Sequence, residues 1–122
     1  MALAKDVMGS GVPAGMALAL GGSLANTISA AGTLITDATD LTASKNIVTT
    51  VASGAGVQLT SMNAGESQIV YNATVTQLLV YPPSSTVKIN QVAAGSAVTL
   101  PAMTVCEFHQ VSSTQILGNL SA

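Results

Sequence analysis

The stretch that most narrows the possible folds is Glu66 to Pro83, ESQIVYNATVTQLLVYPP, which holds both tyrosines and the densest run of β-favouring residues. Ser67, Ile69 and Tyr71 alternate with Gln68, Val70 and Asn72. Val75, Gln77, Leu79 and Tyr81 alternate with Thr76, Leu78 and Val80. A period of two belongs to strands, because successive side chains leave a strand on opposite faces. Pro82 and Pro83 stop the second half, since proline has no N–H to give to a ladder. With Asn72, Ala73 and Thr74 as the connection, the stretch predicts a β-hairpin. Its residues Ile69, Tyr71, Leu79 and Tyr81 are expected to form the core scaffold. If either tyrosine is buried, replacing it with alanine costs roughly 3 to 5 kcal/mol. A negligible loss would instead mark an exposed ring able to anchor an interface.

The rest of the chain looks built to cover that stretch. At 122 residues it makes one domain, able to bury roughly two thirds of its unfolded surface. Charged residues are 7% of the chain, against about 25% in an ordinary soluble domain. Ser, Thr, Asn and Gln supply the missing polarity, and such a surface suits neutral contact with other protein. With Phe108 as the one other large ring, the core has to be aliphatic. There is no arginine, and Lys5, Lys45 and Lys88 are scattered. That leaves nothing to neutralise a run of phosphates, which excludes nucleic acid as a partner.

Residues 1 to 31 are rich in Ala, Gly, Leu and Met. A membrane span would need about 20 strongly apolar residues, and Pro13, Gly21 and Gly22 interrupt the run. A secretory signal is the competing reading. The same interruptions favour an extended N-terminal arm that places Leu18, Leu20, Leu24 and Ile28 on a partner. The body then runs from 32 to 122. Strands are expected at Thr33 to Thr36, Asn46 to Val51, Val57 to Leu59, Thr86 to Asn90, Ala97 to Leu100, Thr104 to Val111 and Thr114 to Gly118. With the hairpin, this makes about eight short strands at spacings of about 8 to 12 residues. The fold class expected is all-β, a small antiparallel β-sandwich or jelly roll with an N-terminal arm.

Few residues are candidates for chemistry. Asp37 and Asp40 lack the further oxygen ligands of a calcium loop and read as a solvated turn. The glycines of Ser53 to Gly56 and Met62 to Gly65 precede strands, whereas a phosphate cradle precedes a helix. Single Cys106 permits no intrachain disulfide; with Phe108 it is expected to face the core. Glu107 and His109 share the opposite face of that strand as the chain's one candidate acid and base pair. The structural reading is an exposed polar face, because a site needs several convergent groups. One histidine and five carboxylates are too small a stock for a zinc site. No catalytic residue, metal, cofactor or small-molecule substrate is expected.

Several pieces of the body together resemble a family of small structural proteins of tailed bacteriophages and prophages. They are Val70-Tyr71-Asn72, Leu79 to Pro82, Ile89-Asn90, the Ala93-Ala94-Gly95 turn, and Cys106 to Phe108 before Ser112-Ser113-Thr114. The resemblance spans about residues 30 to 118. It implies a non-enzymatic part of the virion, of decoration or cement type. Such a protein would bind the major capsid protein on the outer face of the head and cluster with itself, here expected as a homotrimer. The alternatives are a head or tail fibre component or adaptor and, from another class, a secreted adhesion or carbohydrate-binding β-sandwich.

Overall fold

The computed structural model describes residues 23–120. Ten strands follow in order: β1 (Leu24–Ser29), β2 (Thr39–Asp40), β3 (Lys45–Thr50), β4 (Gly56–Gln58), β5 (Ser67–Asn72), β6 (Leu78–Tyr81), β7 (Lys88–Ile89), β8 (Val98–Leu100), β9 (Thr104–Ser112) and β10 (Gln115–Gly118). They form a six-stranded sheet, in the order β1-β3-β5-β9-β10-β7, and a four-stranded sheet, in the order β2-β4-β6-β8. From β1 to β6 the chain crosses from one sheet to the other at every step. β3 and β5 therefore stack in parallel on β1, and β4 and β6 stack in parallel on β2. The result is a coil. One turn takes 21 residues from Leu24 to its neighbour Lys45, and 24 from Lys45 to Ile69.

The coil then reverses. After β7 the chain lays β8 antiparallel on β6 and β9 antiparallel on β5. β10 folds back antiparallel on β9 and pairs in parallel with β7. All-β is therefore the right class, but the architecture is a mixed parallel and antiparallel β-solenoid of about 4 turns. It is not the expected antiparallel sandwich or jelly roll of about eight strands. The expected hairpin fails for the same reason, since β5 and β6 lie in different sheets.

Asn72 shows why the chain turns a corner there and does not double back. Its side-chain amide donates to the carbonyls of Thr76 at 2.8 Å, Pro101 at 3.2 Å and Leu100 at 3.3 Å. Its oxygen accepts from the Thr74 N–H at 3.1 Å and the Thr74 hydroxyl at 2.7 Å. One fully buried side chain thus holds the bend and clips the β8–β9 connection to it. Buried carbonyls left unpaired would cost about 1–3 kcal/mol each.

The earlier corner is set differently. Thr33 to Thr36 form a turn and not the expected strand, because Gly32 has a positive φ of 73° and the Asp37 carboxylate accepts from the N–H groups of Thr33 and Leu34. Gly56 lies under the Tyr81 ring, where an added Cβ would come within 2.8 Å of the ring edge.

Both sheets feed one core. Val48, Val70, Cys106, Phe108, Ile116 and Ile89 meet Val57, Leu78, Val80, Val98 and Leu100 across the interior. Tyr81, Cys106 and Phe108 are buried as expected. Ile69, Tyr71 and Leu79 are half-buried, because the phase of β5 and the early part of β6 is shifted by one residue. In β5 it is Gln68, Val70 and Asn72 that point inward. The two polar ones are tolerated there because their amides are hydrogen-bonded: Asn72 as described above, and Gln68 by donating to the Ala43 carbonyl at 2.8 Å, which also accepts from Asn46 of β3 at 2.8 Å.

Candidate protein-binding face

The outward side of the six-stranded sheet follows directly from the inward one. Residues that alternate with Asn46 and Val48 on β3, with Gln68, Val70 and Asn72 on β5, and with Cys106, Phe108 and Gln110 on β9 lie on the outward face, where Ile47, Ile69 and Tyr71 are half-buried and Val105 is exposed. Register places Ile47 beside Tyr71 and Tyr71 beside Val105, a continuous apolar row across three strands. The row continues at the corner, where the Met103 N–H donates to the Thr74 carbonyl at 3.1 Å. Val75, Met103 and Val105 are exposed there to 89%, 59% and 53%. The next row reads Lys45, Ile69, Glu107, and the one after it Ser67, His109, Leu117. Adjacent strands bring such neighbours to about 4.5–5.5 Å, close enough to act as one surface. Exposed apolar side chains grouped in this way mark contact sites more often than isolated ones do.

Glu107 and His109 sit on the same face. His109 Nε2 lies 3.5 Å from Glu107 Oε1, with both side chains about half exposed. The Ser67 hydroxyl donates to Glu107 Oε2 at 3.1 Å. Serine and histidine both engage the carboxylate, so the histidine is not placed to take the serine's proton, as nucleophilic catalysis requires. Cys106 points the other way, into the core. Burial pushes its thiol above the ordinary value of 9.0; an Asn119 main-chain hydrogen bond opposes the rise and the Glu107 charge adds to it. A protonated, enclosed thiol is a poor nucleophile.

The other expected positions fall elsewhere. Leu18 and Leu20 lie outside the described residues. Leu24 and Ile28 belong to β1, part of the six-stranded sheet, where Leu24 is exposed and Ile28 packs against the core. Asp37 caps its turn and Asp40 lies on β2. Asp40 also lines a shallow open depression with Ile35, Gln58, Ser84 and Ser85. The Gln58 amide there is already engaged by the Pro83 carbonyl at 3.0 Å. Among the described residues no three His, Cys, Asp or Glu side chains gather as a metal site would need.

Sequence reasoning set Val105 on the outward face with Glu107 and His109, but it missed Ile47 and placed Tyr71 inside. The signal that would have found them was the polar Gln68 and Asn72 on the other phase of β5, whose amides are used up inside the fold. Comparison with family profiles, with curated proteins and with solved structures found no match to the chain, so its own residues carry the functional argument.

Proposed function

We propose that this chain is a non-enzymatic structural module of a bacteriophage head, a decoration protein that binds the outer surface of the capsid lattice and stabilises it. The observation that carries the reading is the outward row Ile47–Tyr71–Val105 with Val75 and Met103, an apolar surface on a chain with few charges. The sequence resemblance to small virion proteins supplies the setting. Binding to an assembled lattice but not to separated subunits adds its free energy to particle stability by linkage. Contacts repeated over a lattice add avidity to a surface that is modest in a single copy.

The test is sedimentation of the chain with expanded capsids. Wild type is expected to co-pellet and to raise the temperature at which the particle falls apart. The pair Tyr71→Lys and Val105→Lys should abolish both effects while lowering the isolated chain's stability by only about 1 kcal/mol, because both side chains lie on the outer face. Full capsid binding by that pair would overturn the assignment of this face. No capsid binding by wild type would overturn the function.

A further inference from the structure

The outward face of the six-stranded sheet is centred on β5, which has β3 and β1 on one side and β9 and β10 on the other. Two charges of opposite sign stand at matching places on this face. Register sets Lys45 of β3 and Glu107 of β9 on either side of Ile69, both exposed and each one strand away. The next row carries Ile47 and Val105 on either side of Tyr71 in the same way. A half-turn about β5 exchanges the two flanks, so the face is complementary to itself. We propose that it pairs with the same face of a second copy of the chain, about a two-fold axis along β5.

In that pair Glu107 of each copy faces Lys45 of the other, Ile69 lies on Ile69, and Ile47 lies on Val105. Packed sheets stand about 10 Å apart, a gap that a lysine and a glutamate reaching from opposite sides close to ion-pair range. The Ser67 hydroxyl at 3.1 Å and His109 Nε2 at 3.5 Å already orient the Glu107 carboxylate. An ionised carboxylate has about four acceptor sites, enough to take a lysine as well. Charge also selects the axis. A half-turn across the strands would set Glu107 on Glu107 and Lys45 on Lys45, and like charges so placed oppose binding. A contact between identical patches closes at two copies.

The inference rests on reading this face as a protein contact, and it gives the free chain a state of its own. In solution a second copy covers the apolar row, and the capsid lattice has to displace that copy before it can be gripped. Beyond the charges, β1 of each copy lies over β10 of the other, which brings the exposed Leu24 and Leu117 to one flank. Apolar contact alone would let two flat sheets slide past each other. Two ion pairs placed off the axis fix the register, the task that charges at an interface do best.

Sedimentation equilibrium on the full chain tests the pairing. Wild type is expected to rise with concentration to the mass of two copies and no further. Glu107→Lys and Lys45→Glu, each alone, set like charges across the axis and should weaken pairing by at least about tenfold. The double variant Lys45→Glu, Glu107→Lys restores opposite charges and should return pairing to near the wild-type strength, a rescue that a merely structural loss would not show. A single chain at every concentration, a mass of three copies, single variants that pair like wild type, or a double variant that does not recover would each overturn the proposal. If a variant does not fold, the wild type decides. A zero-length carbodiimide condenses an amine with a carboxylate, with loss of water, and should join Lys45 of an isotope-labelled copy to Glu107 of an unlabelled one; no such mixed peptide overturns the pairing. Co-pelleting with capsids is read separately: co-pelleting without pairing ends this proposal alone, and pairing without co-pelleting ends the capsid reading alone.

Discussion

The two parts of the six-stranded sheet are held together by different physics. From β1 to β5 each strand pairs with one that lies a full turn away in sequence, so every pairing closes a loop of more than twenty residues. Between β9 and β10 the connection is a tight turn at Ser113 and Thr114. The first region relies on side chains that fix corners, above all Asn72 and the Ala43 carbonyl that accepts from Asn46 and Gln68. The second relies on local pairing and the packing of Phe108 and Ile116. Yet both drain into one core, which teaches that the reversed part acts as the clamp of the coil and not as a separate unit.

The largest expected effects test that shared core. Phe108→Ala in the reversed part and Tyr81→Ala in the coil should each lower stability by about 3–5 kcal/mol. Chemical denaturation should show a single transition in both cases. Two transitions in Phe108→Ala would split the molecule into independent regions. Tyr81 also loses the hydrogen bond from its hydroxyl to the Thr33 carbonyl at 3.0 Å. Tyr71→Ala, on the outer face, should cost only about 1 kcal/mol, and a loss as large as that of Tyr81 would put its ring inside.

Next in size is the joint itself. Asn72→Ala leaves the Thr76, Leu100 and Pro101 carbonyls without that donor and should cost about 1–3 kcal/mol by the same denaturation measurement. A smaller pH effect belongs to Cys106. Its folded thiol holds its proton more tightly than the unfolded one, so the associated stability is complete below pH 9.0 and is lost as pH rises through the higher folded value. Melting curves of wild type should therefore fall more steeply above pH 9 than those of Cys106→Ala, and parallel curves would remove the effect. Smallest is Glu107→Gln, which loosens an exposed pair and should shift stability by no more than about 0.5 kcal/mol.

What the sequence made legible follows the same division. Cys106 and Phe108 could be placed inward because Thr104 to Val111 sets two apolar side chains on one phase against Glu107 and His109 on the other. The end of β9, its turn and β10 were likewise local and came out at nearly their observed bounds. β5 misled because its inward phase carries Gln68 and Asn72 while its outward phase carries Ile69 and Tyr71. Alternation reveals a strand, but here the side that looks apolar is the wet one. The parallel stacking left no local trace at all, since a strand's partner lies a turn away and its sequence neighbour belongs to the other sheet. A short, turn-like connection at Asn72-Ala73-Thr74 then reads as a hairpin. Buried hydrogen bonds to Leu100 and Pro101, about thirty residues on, make it a corner.

The reversal after β6 also gives the molecule a direction. Among the described residues, both sheets finish at the β1 and β2 end on strands that run with the coil, whereas at the far end β7 runs with it and β8 against it. An endless rod needs a front that fits a back. Here the front of one copy meets a back whose two edges point opposite ways, each only two or three residues long. Among the described residues the two ends of the coil are therefore unlike, and they do not offer each other matching pairs of edges.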